Sequence, residues 1–277
     1  MKIIKSKIFL FKLFLLIFMN LYSSVYAEKR IKLYFSNDSI NGLKPSDAYE
    51  THNMGIKYYF NNNFIEIDLG LVGPDMFIYE NKYREANRSF GELVRITYGK
   101  KKYEDLNTIV YLNYIAQGKF GLDKLQNFAH SIANFQIETD ILEKVRMPDN
   151  QWIGAGINYR GEQYSFKNLN YSLILNGYVG SDKTTFSFGF DNILFERLNS
   201  SAKIISNFQY VPYDKIVSAD PVKAPHRKLI PSLKIQYTYN YRDMNLTIYE
   251  KISLPTINSD NRPYLLFGAS LELPFNF

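Results

Sequence analysis

Along most of this chain apolar and polar residues alternate with a period of two. The last run is the clearest. Leu265, Phe267, Ala269, Leu271, Leu273, Phe275 and Phe277 share one face, and Leu266, Gly268, Ser270, Glu272, Pro274 and Asn276 the other. Such alternation marks a β-strand with two unlike faces. Leu233, Ile235, Tyr237, Tyr239 and Tyr241 likewise alternate with Lys234, Gln236, Thr238 and Asn240, and Phe186, Phe188 and Phe190 with Ser187 and Gly189. All such runs together predict about twelve strands, near residues 31–36, 55–60, 64–71, 90–98, 107–117, 151–159, 170–179, 184–190, 201–210, 233–241, 244–252 and 265–277.

One stretch breaks the period. From Gly121 to Gln136, Leu122, Leu125, Phe128, Ala129, Ile132 and Ala133 recur at three- and four-residue steps. That spacing predicts a short amphipathic helix. Asp123, Gln126, Asn127, His130 and Asn134 fall on its polar side.

The connections have their own rhythm. Those after strands one, three, five and nine are long, and those after strands two, four and ten are short; the loop after strand seven is short as well. An even strand count with long loops at one end and short turns at the other is the pattern of an outer-membrane barrel. The terminal strand is long enough to cross, since about 9–11 tilted residues span the hydrocarbon layer. The aromatic load, 23 Tyr and 21 Phe in 277 residues, suits the interfacial girdles of such a barrel. A secreted β-sandwich is the alternative, but it leaves strand edges that a membrane does not tolerate.

Composition adds three points. Lys2, Lys5, Lys7 and Lys12, the apolar run Ile8 to Met19 and the small residues of Val25-Tyr-Ala27 read as a secretory signal over residues 1–27. The barrel domain is then residues 28–277. Those four lysines account for most of the formal charge of +6, so the mature chain is close to neutral and the expectation is a monomer with no nucleic-acid partner. The absence of cysteine excludes disulfides, so rigidity must come from backbone pairing.

With the N-terminus in the periplasm, strand one ends outside, and the long loops share that side. Asn37 and Asp38, Asn53, the loop with Lys82, Arg84 and Arg88, and the helix with His130 then meet at one mouth. Each has an ordinary reading too. A histidine on a polar helix face is commonly just solvated, Asn-Asp after a strand is a turn signal, and basic loop residues face an anionic leaflet. His52 competes with His130 as a base, and strict alternation sets Asn37 and Asp38 on opposite faces. Ser36, Ser39 and Ser131 lie near, but no serine-centred motif supports a serine nucleophile.

Asn37-Asp38, Thr51-His-Asn-Met-Gly55, Asp75-Met-Phe, Arg88-Ser-Phe-Gly91 and Gly121-Leu-Asp-Lys-Leu-Gln126-Asn127-Phe-Ala-His130 together resemble the outer-membrane lipid A deacylase family, from about Tyr34 to His130. The resemblance implies an all-β antiparallel transmembrane barrel with a short helix in an extracellular loop. It also implies removal of 3′-linked acyl chains from lipid A of lipopolysaccharide at the outer surface. His130 would then be the general base that deprotonates water, and Asn37, Asp38 and Asn53 the other catalytic residues. Ca²⁺ would be held with Asp38 as ligand and would stabilise the oxyanion; Lys82 or Arg84, with Gln126, would hold the substrate. The chain departs from the family pattern at Asn53, where threonine is usual, at Lys119-Phe120, where Gly-Pro is common, and at Gln136, where an acidic residue is frequent and Glu138 follows. The contrasting expectation is a non-catalytic barrel, a small porin or a surface-binding protein.

Overall fold

The computed structural model describes residues 29–37, 52–72, 76–79, 82–86, 91–101, 107–122, 124, 136–137, 148–166, 169–214, 229–253 and 264–275. Its strands are, in chain order, β1 (Arg30–Asn37), β2 (His52–Phe60), β3 (Asn63–Val72), β4 (Met76–Tyr79), β5 (Lys82–Ala86), β6 (Gly91–Lys101), β7 (Thr108–Gly118) and β8 (Gln136–Ile137). There follow β9 (Asn150–Phe166), β10 (Leu169–Gly180), β11 (Lys183–Arg197), β12 (Ser200–Asp214), β13 (Leu229–Tyr241), β14 (Met244–Ser253) and β15 (Tyr264–Pro274). Twelve of them form one closed antiparallel barrel, and the remaining three, β4, β5 and β8, make a small separate sheet. The barrel closes where β1 pairs with β15, from Arg30↔Pro274 to Asn37↔Phe267. No strand edge of the barrel is left open, as the hydrocarbon layer requires.

The alternation read in the sequence sorts onto the two sides of this wall. Leu33, Ile56, Ile67, Leu112, Ile153, Leu175, Phe188, Ile235 and Leu246 are exposed on the outside, Leu112 and Ile153 by 63% and 61%. A water-soluble protein would not spread so many bare apolar side chains over a closed surface; a lipid-facing belt must. The inside is polar. Arg95 meets the buried Asp68 at 2.9 Å and Lys57 meets Glu66 at 3.0 Å, each pair standing directly across two neighbouring strands. The Tyr34 hydroxyl donates to Glu66 at 2.8 Å. Arg30 pairs with Glu272 at 2.6 Å, and Arg160 and Lys203 converge on one oxygen of Asp191 at 2.8 and 3.1 Å.

Aromatic rings fill the lumen beside glycines. Gly55, Gly99, Gly156 and Gly268 stand directly opposite Tyr34, Phe64, Tyr111 and Tyr249, and each ring occupies the space a Cβ would need. This pairing of a bare position with a ring across the ladder packs a curved wall without a void. Leu93, Ile115 and Trp152 make the one buried apolar cluster among the described residues; all three stand on the lumen face, a little below the outer mouth.

At one end the strands are joined by tight turns. Asn61 (φ 54°) and Arg242 (φ 52°) adopt the left-handed conformation in two of them, as two-residue hairpins demand. The opposite end carries the longer connections, which face outward in barrels of this class, with the single exception, between β10 and β11, of the turn at Ser181 and Asp182.

Each predicted strand is present, with corrected limits. β9 and β11 run on to Phe166 and Arg197, past the predicted ends near 159 and 190. β12 continues to Asp214, so the loop predicted from Val211 is shorter than expected. Register shifts at Ser172/Ile174, Thr184/Phe186 and Ile193/Phe195 explain part of this. A bulge inserts a residue and inverts the alternation beyond it, which hides the continuation from a period-two reading. The small strands β4, β5 and β8 were not expected at all. The predicted signal segment 1–27 and most of the predicted helix lie outside the described residues; Leu122 and Lys124 have helical backbone.

Candidate active site at the outer mouth

β1 and β2 bring the first candidates together. Asn37 closes β1 and pairs with His52, the first residue of β2; the next pair inward is Ser36↔Asn53. Asn37 and Asn53, distant in sequence, are therefore one register step apart on adjacent strands, and the competing His52 stands across from Asn37. Asn53 lies on the lumen face, and its side-chain oxygen is buried with no hydrogen-bond partner among the described residues. Following the register around the wall from Ser36 and Asn53 leads through Gly70 and Leu93 to Gln117. Gln117 donates to the Pro148 carbonyl at 2.9 Å while its own oxygen is likewise buried and unpartnered. That bond ties the two ends of the β7–β9 connection.

The small sheet supplies the second convergence. β4 and β5 form a hairpin within the β3–β6 connection, and β8 lies within the β7–β9 connection. β5 and β8 pair in parallel, with Lys82↔Gln136 and Tyr83↔Ile137. The strand that bears Lys82 and Arg84 is thus bonded to Gln136, the last residue of the predicted helix and here a strand residue, and to Ile137 beyond it. The sequence placed these loops at the same mouth; it did not show that they share a sheet. Gln136, singled out as a departure from the family pattern, is Lys82's partner.

Glu92 is a residue the sequence reading missed. It is fully buried at the start of β6, and its carboxylate accepts from the backbone N–H groups of Phe120 at 2.7 Å and Leu122 at 2.9 Å. Between them Gly121 takes φ +82°, in the left-handed region that favours glycine. A carboxylate on free N–H groups at the beginning of a helical segment caps it and complements its dipole. The signal was present in the sequence. Glu92 shares the otherwise apolar outward face of β6 with Val94 and Ile96, and a charge there needs a partner.

Asp38, Gln126 and His130 lie outside the described residues, and Asn37, His52, Lys82 and Arg84 are placed by backbone register alone. Among the described residues no group of three or more His, Cys, Asp or Glu side chains gathers to hold a metal. The amide oxygen of Asn53, buried and unpartnered among the described residues, is the kind of hard donor that calcium takes, so that one atom fits the ion.

No protein-family model matches the chain, and no curated protein matches it. Solved structures do. LpxR from Salmonella typhimurium superposes with a TM-score of 0.65 at 10% identity, covering 89% of this chain and all of that one. The NanC porin covers 90% of this chain and 100% of its own at 7% identity and a TM-score of 0.44, and the KdgM porin 89% and 99% at 8% and 0.43. The first likeness shows the fold. The chain is a twelve-stranded transmembrane barrel of the outer-membrane class.

Proposed function

We propose that this barrel is an outer-membrane ester hydrolase that removes 3′-linked acyl chains from lipid A of lipopolysaccharide at its extracellular mouth. The observation that carries the reading is the parallel pairing of β5 with β8. It joins the segment of Lys82 and Arg84 to the segment that holds Gln126 and His130, at the end of the barrel where Asn37 meets β2. The barrel fold shared with LpxR is compatible with it, and the sequence motif ending in His130 supports it.

In this reading His130 accepts a proton from water while the water oxygen bonds to the ester carbonyl carbon. The bond from that carbon to the sugar oxygen then breaks, and the proton passes to the departing oxygen, giving a fatty acid and a free hydroxyl. Asp38 and Asn53 would supply oxygen donors for Ca²⁺, with Asp38 carrying the charge and Asn37 an orienting acceptor beside them. Bound there, the ion would supply positive charge for the carbonyl oxygen as that oxygen becomes anionic. Lys82 or Arg84, with Gln126, holds the lipid A phosphate and sugar.

Purified protein incubated with lipid A in detergent should release fatty acid with calcium and stop in EDTA, recovering when calcium is restored. Absence of release at saturating calcium would end the proposal. The charged lumen wall favours one other reading, a conducting barrel. That reading predicts ion current in a planar bilayer, unaffected by chelator.

A further inference from the structure

Among the described residues the lumen holds lysines that pair with no carboxylate. Glu66, Asp68, Asp191 and Glu272 are each taken by a cation, namely Lys57, Arg95, Arg160 with Lys203, and Arg30. Lys32, Lys234 and Lys251 project into the same lumen and make no ion pair. Lys234 and Lys251 stand directly opposite each other on β13 and β14. Like charges in that position repel and weaken the ladder. The Lys234 ammonium lies over the Tyr249 ring, 3.8 Å from its centroid.

These lysines also converge across the lumen. Lys203, Lys32 and Lys251 are all within electrostatic range of Lys234, and Lys203 is within range of Lys32. β1 and β12 are separated in the wall by β13, β14 and β15; Lys203 stands diagonally beside Lys234, two positions from Ile205, the residue opposite it. The acidic groups facing this cluster are Asp191, already shared by Arg160 and Lys203, and Glu272 and Glu66, already held by Arg30 and Lys57. Lys251 lies two positions from Ser253, at the long-loop end of β14, whereas Lys32 lies two positions from Arg30 and Lys203 three from Ser200, nearer the tight turns.

We propose that Lys32, Lys203, Lys234 and Lys251 form a binding site inside the barrel for a phosphate-class oxyanion. Ammonium groups act as strongly hydrated point charges with several donors, which suits a compact, multiply charged oxyanion. Such a guest offsets the Lys234–Lys251 repulsion and accepts from the Lys32, Lys234 and Lys251 ammonium groups, which pair with no carboxylate among the described residues, while Lys203 stays shared with Asp191. The site lies within the lumen and is independent of the ester hydrolysis proposed at the mouth. The phosphoryl group could come from free phosphate or from a lipid headgroup.

The test uses the full barrel folded in zwitterionic micelles. One arm adds inorganic phosphate, with chloride at equal ionic strength as control; the other dopes the micelles with phosphatidylglycerol. The wild type should gain thermal stability in at least one arm and titrate by calorimetry. Response to phosphate identifies a soluble guest, and response only to the doped micelles a lipid headgroup. The Lys234→Gln/Lys251→Gln variant should be more stable than wild type without the probe, should lose the response, and should bind about 10–100-fold more weakly. If that variant does not fold, Lys251→Gln alone is read in the same way. A wild type that responds to neither probe, or a variant that responds as the wild type does, overturns the proposal.

Discussion

The backbone N–H of Phe120 donates to Glu92 across 2.7 Å, and the carboxylate that receives it is fully buried. The same oxygen accepts from Leu122, so one side chain at the start of β6 holds the point where β7 hands the chain to the predicted helix. The backbone at Phe120 and Leu122 is therefore held from the barrel wall.

Removing that anchor should loosen the helix without opening the barrel. Glu92→Ala is expected to speed hydrogen exchange at residues 120–122 and to lower lipid A hydrolysis about tenfold or more, since misplacement near 1 Å carries losses of roughly 10²-fold. Glu92→Gln, which keeps one acceptor oxygen, should lose less. Unchanged exchange in Glu92→Ala would contradict the anchoring role.

Asp68 and Arg95 form an ion pair inside the barrel, with the Asp68 side chain only 7% exposed. Arg95→Met strands a buried carboxylate and should destabilise the barrel by roughly 3–5 kcal/mol. Asp68→Leu/Arg95→Met, which removes both charges, should recover most of that. Urea unfolding in lipid vesicles measures the difference; a double variant no more stable than the single would refute it.

Tyr111 lies over Gly156 and stacks on Tyr178, with ring centroids 6.2 Å apart and planes within 8°. Gly156→Val places a branched side chain where the ring sits, and overpacking of this kind costs about 1–3 kcal/mol. Gly156→Val/Tyr111→Ala should relieve it. Thermal unfolding that falls equally in both would point to backbone strain instead of the ring.

Much of the barrel was legible because one residue in two must face lipid. The run Leu265 to Leu273 and the run Leu233 to Tyr241 mark strand, inward face and outward face at once. The reading stopped where a bulge inverted the parity, as at Ile193/Phe195, and where strands are too short to repeat a pattern. β8 has two residues and β4 four, so neither carries a period. The site was legible differently. That Asn37 and Asn53 would be neighbours followed from counting strands up and down. The bond between the Lys82 strand and Gln136 did not, because a parallel pairing between two loops leaves no trace in local sequence. Glu92 was visible only as a charge on an apolar face.

Asn53 offers a buried amide oxygen with no donor, on a position where the resembling family has threonine. Asn53→Ala should raise the calcium concentration needed for half-maximal hydrolysis by about 10–100-fold, the usual scale for losing support at a metal site. Asn53→Thr should stay close to wild type. Identical calcium dependence in all three proteins would remove Asn53 from the site.

The most direct test of the central claim compares lipid A from cells producing the wild type, His130→Ala, or neither, by mass spectrometry. The account predicts lipid A short of its 3′-linked acyl chains with the wild type alone, and full acylation with His130→Ala at equal barrel abundance in the outer membrane. Identical lipid A from all three would contradict it and leave a barrel without this chemistry.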